Sequence, residues 1–367
     1  MIQPASIATS SRARDYLAGK RVMVTGVCGT VGRQILRHLL AEHDVGSVTG
    51  VDHNESELAF LAAAHGSDRQ VDLLLGDVRD ASAMLRETRR IDVLFHAAAY
   101  KHVHICERSP MDAIQTNILG LQNVIQSATE NGVQRLVFTS SDKAVNPTNV
   151  MGGSKLMGER LVTAAALDPN QAGSVFLSTR FGNVLGSRGS VVPIFKRQIR
   201  NGGPVTLTDA AMTRFIMSLD DAVRLVVESI VLAMPGDVLI TKMQAVRIAD
   251  LAKVMIREYA PRCGYRPEDI KITVIGQKPG EKLYEELMNE EETRRSYELE
   301  SYFIVRPALA IPSPETPPYE GLVSASVPRP YNSTAVSPLT EDELAAFLNT
   351  NGLLDDNAQP SSSPCVS

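Results

Sequence analysis

The first half of the chain alternates short apolar, β-branched runs with longer stretches of helical periodicity. Runs at Arg21–Gly26 (RVMVTG), Ser47–Asp52 (SVTGVD), Val71–Asp77 (VDLLLGD), Asp92–Ala99 (DVLFHAAA), Arg135–Ser141 (RLVFTSS) and Ser174–Asn183 (SVFLSTRFGN) predict strands. Helices are predicted near 30–42, 55–66, 80–88, 110–131 and 150–166. Strands that are apolar without alternation are buried on both faces. With helices between them they predict an α/β fold, a doubly wound parallel sheet. After Gly182 the rhythm changes. A Gly-rich stretch (GNVLGSRGSVVP) leads to a basic helix, the segment VTLTDAAMTRFIM, an apolar helix near 219–234, a helix near 247–259 and a strand at Lys271–Gly276. This predicts a smaller C-terminal α/β domain. The Pro- and Ser-rich segment Pro307–Pro330 predicts an extended loop, LTEDELAAFLN a short capped helix, and DDNAQPSSSPCVS disorder.

Composition narrows the class. Hydrophobic residues at 44% and charged ones at 22% are globular values and exclude collagen, a coiled-coil rod and wholesale disorder. A net charge of −5 argues against a protein that coats nucleic acid or an anionic membrane. No apolar run approaches the roughly 20 residues that span a bilayer, and the N-terminus lacks a signal peptide's apolar core, so a soluble, cytoplasmic protein is expected. Cys28, Cys106, Cys263 and Cys365 lie far apart without a CxxC pair, which suits reduced thiols. All seven histidines fall at or before His104, so no multi-histidine metal site draws on the C-terminal half, and no metal is expected.

Between the first strand and first helix stands Gly26-Val27-Cys28-Gly29-Thr30-Val31-Gly32, a GxxGxxG spacing. The first glycine permits the tight turn, the second lets backbone N–H groups approach a pyrophosphate, and the third lets helix pack on sheet. A glycine triplet alone reads equally as a plain turn. Asp52 changes this: it ends the second strand about 20 residues on, where a carboxylate binds adenosine ribose hydroxyls and repels a 2′-phosphate. NAD is therefore expected, with NADP as the alternative, since His53 and Asn54 beside Asp52 forbid neither. The competing role for Asp52 is a helix N-cap. Asp77 and Val78, ending the third strand, are placed to meet the adenine.

The glycine loop, HAAAYKHV at 96–103, TNILG at 116–120, SSDKAVNPTNVMGGSK at 140–155, RFGNVLGSRGSVVP at 180–193, TDAAMTRFIM at 208–217 and KPGEKLYEEL at 278–287 together resemble the extended short-chain dehydrogenase/reductase superfamily. Within it they are similar to the UDP-N-acetylglucosamine 4,6-dehydratases of bacterial polysaccharide biosynthesis, over about residues 15–305. The resemblance implies a Rossmann-type NAD(P)-binding domain over 1–182 with 219–250 returning to it, a nucleotide-sugar-binding domain over 183–218 and 251–345, and a disordered tail over 346–367. It implies that the protein oxidises C4 of the sugar, eliminates water across C5–C6 and returns the hydride to C6.

Family members carry a Ser/Thr, a Tyr and a Lys four residues after the Tyr. Ser141 and Lys155 match the first and last, but the Tyr position holds Met151, which cannot accept a proton. The chain resembles a subgroup that has Met there. Asp142 and Lys143 match the family's acid and base. Lys155 then holds the nicotinamide ribose, and the tyrosine's task falls to a water or to Lys143. Further cofactor contacts implied are Ala97, Ala98, Ala99, Lys101, Asn117 and Val184. The alternative for Lys101 is a solvated surface lysine, and Asn117 reads equally as a bland helical residue. For the nucleotide-sugar the implied residues are Lys101, Ser141, Asn183, Ser187, Arg188, Gly189, Ser190, Val191, Thr208, Arg214, Lys278 and Glu281, a cation pairing with the diphosphate and a carboxylate with ribose hydroxyls. The resemblance also implies a homodimer or higher oligomer through the helices near 110–131 and 150–166, with Ile114, Ile118, Leu121, Ile125, Met157, Leu161, Ala164 and Ala165 at a helical spacing that a buried core face shares. A UDP-sugar 4-epimerase or 5,6-dehydratase is the alternative enzyme, and a non-catalytic cofactor sensor the alternative of another class.

Overall fold

The computed structural model describes residues 7–66, 68–171, 173–187, 189–277, 280–309 and 319–355. The chain divides into two compact units, Met1–Phe181 with Asp220–Lys242 and Glu286–Tyr331, and Gly182–Leu219 with Met243–Glu285 and Asn332–Ser367.

The first unit is built on six parallel strands, β1 (Arg21–Thr25), β2 (Ser47–Asp52), β3 (Val71–Leu75), β4 (Val93–His96), β5 (Arg135–Thr139) and β6 (Val175–Arg180), in the spatial order 3-2-1-4-5-6. Val22, Met23, Val24, Val93, Leu94, Phe95, Leu136 and Val137 have no exposed surface, as apolar runs buried on both faces require. Its helices are α1 (Ile7–Leu17), α2 (Thr30–Glu42), α3 (Glu55–His65), α4 (Ala81–Glu87), α5 (Val103–Arg108), α6 (Pro110–Ala113), α7 (Leu121–Glu130) and α8 (Val150–Ala166). The helix expected over 110–131 is continuous but changes pitch, with a π-helical stretch, Ile114–Gly120, joining α6 to α7. Strand order reverses between β1 and β4, and the crevice outside their carboxyl ends is where open α/β sheets bind ligands.

The domain boundaries differ from those expected. Val238–Thr241 extends the sheet in parallel beside β6, and Tyr302–Val305, buried throughout, pairs antiparallel with it. Ser296–Leu299 and Leu322–Ser324 follow. Residues 286–331 therefore belong to the first unit, because an apolar strand found a sheet edge there. Part of the expected loop over 307–330 is strand, and 310–318 lie outside the described residues. The expected tail from 346 is also corrected. A helix, Glu341–Thr350, capped by Thr340, crosses that boundary, and Leu348 and Leu354 are buried. Residues 356–367, with Cys365, lie outside the described residues.

The second unit has a small sheet, with Thr213–Met217 antiparallel to Gln244–Arg247 and parallel to Asn183–Val184. Val205–Leu207 pairs in parallel with Ile272–Val274. Helices Val191–Arg200, Ile248–Tyr259 and Glu341–Thr350 enclose a core that includes Phe195, Ile216, Leu251, Met255, Tyr259 and Leu344.

Candidate active site

The glycine turn sits at the strand-order reversal. Gly26 has φ +72°, the left-handed region that favours glycine, and a Cβ there would lie 2.6 Å from the Ala98 nitrogen. A Cβ on Gly32 would lie 2.2 Å from the Gly26 carbonyl, so the third glycine sets the approach of α2 to the turn. Gly29 is the N-cap of α2 and offers no side-chain oxygen to its first turn, where Thr30, Val31 and Gly32 begin the helix. Free N–H groups at a helix start fit an anion such as a pyrophosphate.

Asp52 is buried at the end of β2. Its Oδ2 accepts from the Cys28 N–H at 2.9 Å and its Oδ1 from the Asn54 N–H at 3.0 Å, so it braces the glycine turn. Asp52 is not the cap of α3. Asn54 is, accepting from the Glu57 N–H at 3.1 Å, and its side-chain oxygen is thereby engaged in a task other than the expected cofactor contact. His53 is mostly exposed, its Nδ1 3.6 Å from Asp52 Oδ1. Asp77 is gripped by Arg79, whose guanidinium holds its carboxyl below the usual range. Val78 is buried, within 2.7 Å of where a Gly120 Cβ would stand.

Ala97, Ala98 and Ala99 follow β4 as loop and not as strand, with Ala98 against the glycine turn. Asn117, in the π-helical stretch, is fully engaged. Its Oδ1 accepts from the Tyr100 N–H at 2.8 Å, and its Nδ2 donates to the Tyr100 carbonyl at 3.0 Å and to Ser154 Oγ at 2.9 Å. It pins the 97–101 loop to α8 and is no bland helical residue. Lys101 is exposed on that loop. The His102 and His104 rings lie 6.2 Å apart, and no cluster of metal-ligating residues exists among the described residues.

Asp142–Ala144 forms a single 3₁₀ turn beyond β5, with Ser141 as its N-cap. Ser141 Oγ donates to Asp142 Oδ1 at 2.5 Å, and Lys143 Nζ lies 3.1 Å from the same oxygen. Asp142 is buried, while Lys143 keeps a quarter of its side chain exposed (26%). The turn rests directly on α8, for a Cβ on Gly152 would stand 2.3 Å from the Lys143 carbonyl. On α8, Met151 is buried in a small apolar cluster with Tyr100, Val103, Cys106 and Ala113. One turn on, Lys155 Nζ donates to the Thr139 carbonyl at 2.7 Å and stands 4.7 Å above the Phe138 ring. Burial lowers its pKa to about 8, against an opposing pull from Glu159. Burial, with Lys155 nearby, lowers His96 to about 3, so its imidazole is neutral.

Four further residues lie under this site. Arg180, at the end of β6, donates to Glu159 at 2.8 and 2.6 Å and to Glu292 at 2.9 and 2.7 Å, and Ser140 Oγ donates to Glu159 at 2.5 Å. All four are buried. None of the four was among the expected site residues. The signal was an arginine in an expected buried strand and a glutamate one helical turn after Lys155.

In the second unit, Asn183 and Val184 form a short strand, and Ser187, Gly189 and Ser190 the turn leading to Val191, the first residue of its helix. The Ser190 N–H donates to the Ser187 carbonyl at 3.0 Å, and Ser190 makes no cap bond. Arg214 is buried and committed to its own unit. It donates to the carbonyls of Thr213 at 2.7 Å and Lys282 at 2.9 Å, and lies 3.3 Å from Glu285 and 3.8 Å from Glu281. Thr208 Oγ1 meets Met212 Sδ at 3.6 Å. Arg188 and Lys278 lie outside the described residues.

A doubly wound sheet with the glycine turn at its strand-order reversal, and a Ser-Asp-Lys turn held on a lysine-bearing helix, defines an extended short-chain dehydrogenase/reductase. The family model described as polysaccharide biosynthesis protein matches residues 22–307, and the chain belongs to that family. It is 47% identical over 80% of its length to 87% of an uncharacterized membrane protein of Methanocaldococcus jannaschii. It is 34% identical over 81% of its length to 86% of a UDP-N-acetylglucosamine 4,6-dehydratase (inverting) of Campylobacter jejuni, and 37% identical over 77% to 82% of a UDP-glucose 4-epimerase of Rickettsia canadensis. Of two longer relatives, CapD of Staphylococcus aureus and EpsC of Bacillus subtilis, the chain spans about half (46% and 47%). Among solved structures, Pen from Bacillus thuringiensis superimposes with a TM-score of 0.85 at 37% identity, over 92% of this chain and 99% of that one. The dTDP-glucose 4,6-dehydratase DesIV of Streptomyces venezuelae, solved with NAD and TYD bound, shares the fold at 0.62 and 23% identity, over 72% and 86%. No helix among the described residues is long and apolar enough to cross a membrane.

Proposed function

We propose that the protein is an NAD-dependent nucleotide-sugar 4,6-dehydratase acting on UDP-N-acetylglucosamine or a close analogue. The observation that carries this reading is the Asp142–Lys143 contact of 3.1 Å on a turn packed against the helix of Lys155. NAD, held by the glycine turn and Asp52, would supply the oxidation at C4 and the hydride for C6, the C4 hydroxyl proton passing to a water. The C5 proton, made acidic by the 4-keto group, goes to the Lys143 amine, and Asp142 protonates the departing C6 hydroxyl, so one water leaves. A charged Asp142–Lys143 pair carries the same number of protons as a neutral acid beside a neutral amine. One proton crossing the contact therefore converts the resting pair into the working acid and base. Ser141 donates to the Asp142 oxygen and orients it. Lys155, cationic below about pH 8, holds the nicotinamide ribose. Met151 supplies shape and no proton, since its thioether is packed among apolar neighbours. A 4-epimerase needs no C5 base, so a retained Lys143 favours dehydration.

The test is incubation with UDP-N-acetylglucosamine followed by mass analysis. Loss of one water with a C4 carbonyl in the product supports the dehydratase. An unchanged mass with an inverted C4 hydroxyl supports the epimerase, and no change at all a binding protein.

NAD is the preferred cofactor on this reading because Asp52 sits buried at the end of β2, where a carboxylate takes the adenosine ribose hydroxyls and repels a 2′-phosphate. Asp52→Ala should weaken NADH binding by about 10-fold or more, the loss of one charge-assisted hydrogen bond and of the brace on the Cys28 N–H. Fluorescence titration reads this, and tighter binding of NADPH than NADH to the wild type would overturn the selectivity.

A homodimer is expected through the layer of α6, the π-helical stretch and α8. Leu121 and Ile125, expected on that face, are instead in the core, while Met111, Leu119 and Met157 are about half exposed or more (61%, 52% and 48%). Light scattering should give twice the 39.8 kDa chain mass or more, and a monomer at micromolar concentration would contradict this.

A further inference from the structure

We infer that the buried Glu159–Arg180–Glu292 cluster is a positioning unit for the reaction, which fixes the 140–143 turn on β6 and supplies the counter-charge of Lys155. The inference rests on the dehydratase reading for its catalytic arm alone.

A fully buried Glu–Arg–Glu triad is a poor way to gain stability, because desolvating three charges offsets most of their attraction, and apolar residues of similar volume often do as well. What it provides is fixed geometry. Arg180 uses its planar fork on two carboxylates at once and donates to the Leu287 carbonyl at 3.0 Å, so it joins β6, α8 and the segment around Glu292 at a single point. Its pKa rises above the ordinary value, since the two carboxylates outweigh the effect of burial. The residues on either side of Arg180 hold the catalytic turn: the Ser140 N–H donates to the Thr179 carbonyl at 2.7 Å and the Asp142 N–H to the Phe181 carbonyl at 3.2 Å. Ser140 is held again through its hydroxyl on Glu159. The turn bearing Asp142 and Lys143 is thus fastened to Arg180 by main chain and by side chain.

Glu159 also faces Lys155 from one turn along α8. Around the Lys155 ammonium, β4 contributes the neutral His96, β5 the Thr139 carbonyl and Phe138 ring, and α8 the Glu159 carboxylate. Burial pushes Lys155 toward the uncharged amine, and Glu159 opposes this. Without the carboxylate, Lys155 loses its proton at a lower pH.

Three variants separate these roles from a merely structural one: Glu159→Gln, Glu159→Asp and Arg180→Lys, each checked for a cooperative melt. NADH affinity is followed by fluorescence against pH. Turnover of UDP-N-acetylglucosamine is measured in parallel. In the wild type NADH affinity should fall as pH rises through about 8. Glu159→Gln should move that midpoint down by about half a pH unit or more, and Glu159→Asp should restore it, because charge and not shape is responsible. Arg180→Lys keeps one charge and loses the fork. It should lower kcat about tenfold or more, with KM and NADH affinity within about threefold of the wild type. Should Glu159→Gln not fold, Arg180→Lys carries the test. A wild-type midpoint in folded Glu159→Gln, or a wild-type kcat in Arg180→Lys, would overturn the inference. Absence of water loss by the wild type would instead overturn the dehydratase reading, and the NADH midpoint would still decide the role of Glu159.

Discussion

Lys143→Ala is expected to lower the rate of water loss from the sugar by about 10²–10⁴-fold, the contribution of a well-placed general base, with NADH affinity unchanged. The residue sits on the 3₁₀ turn at the end of β5, and its amine lies 3.1 and 3.3 Å from the two Asp142 carboxylate oxygens. On the proposed reading it acts after the hydride has left C4, with a water taking the C4 hydroxyl proton, so early steps should survive its loss. Rapid mixing should accordingly show reduced cofactor absorbance that persists in the variant and decays in the wild type. In deuterated water the wild type should place one solvent deuteron at C5, because a proton on a partly exposed amine exchanges before it returns. Asp142→Asn should stall at the same stage, since an amide gives no proton to the C6 oxygen. Met151→Leu should retain activity within about tenfold, as a swap of similar volume in an apolar cluster. Wild-type water loss by Lys143→Ala would place the base elsewhere.

How far the sequence carried depended on the range of the interactions involved. The inner strands were legible because burial on both faces leaves a largely apolar run, the partly exposed edge strand β3 because of its leucines, and β1 to β6 lie within the expected segments. The glycine turn was legible because its requirement is steric and local. The hydrogen-bonded assignments were less so. Asp52 and Asn54 are two residues apart and both suit an N-cap, and only the geometry shows that Asn54 takes the cap while Asp52 turns back to the Cys28 N–H. Asn117 was noted, but its partners Tyr100 and Ser154 are 17 and 37 residues away, so its clamp could not be read from spacing. Distance along the chain hid the Arg180 cluster most completely: Glu292 stands 112 residues after Arg180. The second-unit boundary failed for the same reason, since nothing local marks Tyr302–Val305 as the antiparallel partner of Val238–Thr241.

Two adjacent glycines on α8 give a test in which the same methyl group has opposite consequences. Gly152 and Gly153 both stand in the first turn of the helix, neither with a positive φ, so alanine suits the backbone at each. A Cβ on Gly153 meets nothing within 4 Å. Gly153→Ala should therefore raise stability by about 0.4–1 kcal/mol, by restricting the unfolded chain, and leave turnover unchanged. A Cβ on Gly152 lies 2.3 Å from the Lys143 carbonyl oxygen and 3.1 Å from Pro147 Cβ. Both are main-chain or ring atoms with no rotamer to yield, so the catalytic turn and α8 must part by about 1 Å. Lys143 and Asp142 ride on one side of that contact, and Met151 and Lys155 on the other. A displacement of about 1 Å between groups that act on one sugar costs on the order of 10² in rate, and overpacking costs about 1–3 kcal/mol of stability. Gly152→Ala should thus lower kcat about 100-fold, with NADH affinity changed little, because the glycine turn and Asp52 lie on β1 and β2 and not on this contact. Melting curves, NADH titration and turnover on the two variants side by side read all of this. Equal turnover by Gly152→Ala and Gly153→Ala would mean that the spacing of turn and helix does not set the rate, and that Lys143 does its work independently of Lys155.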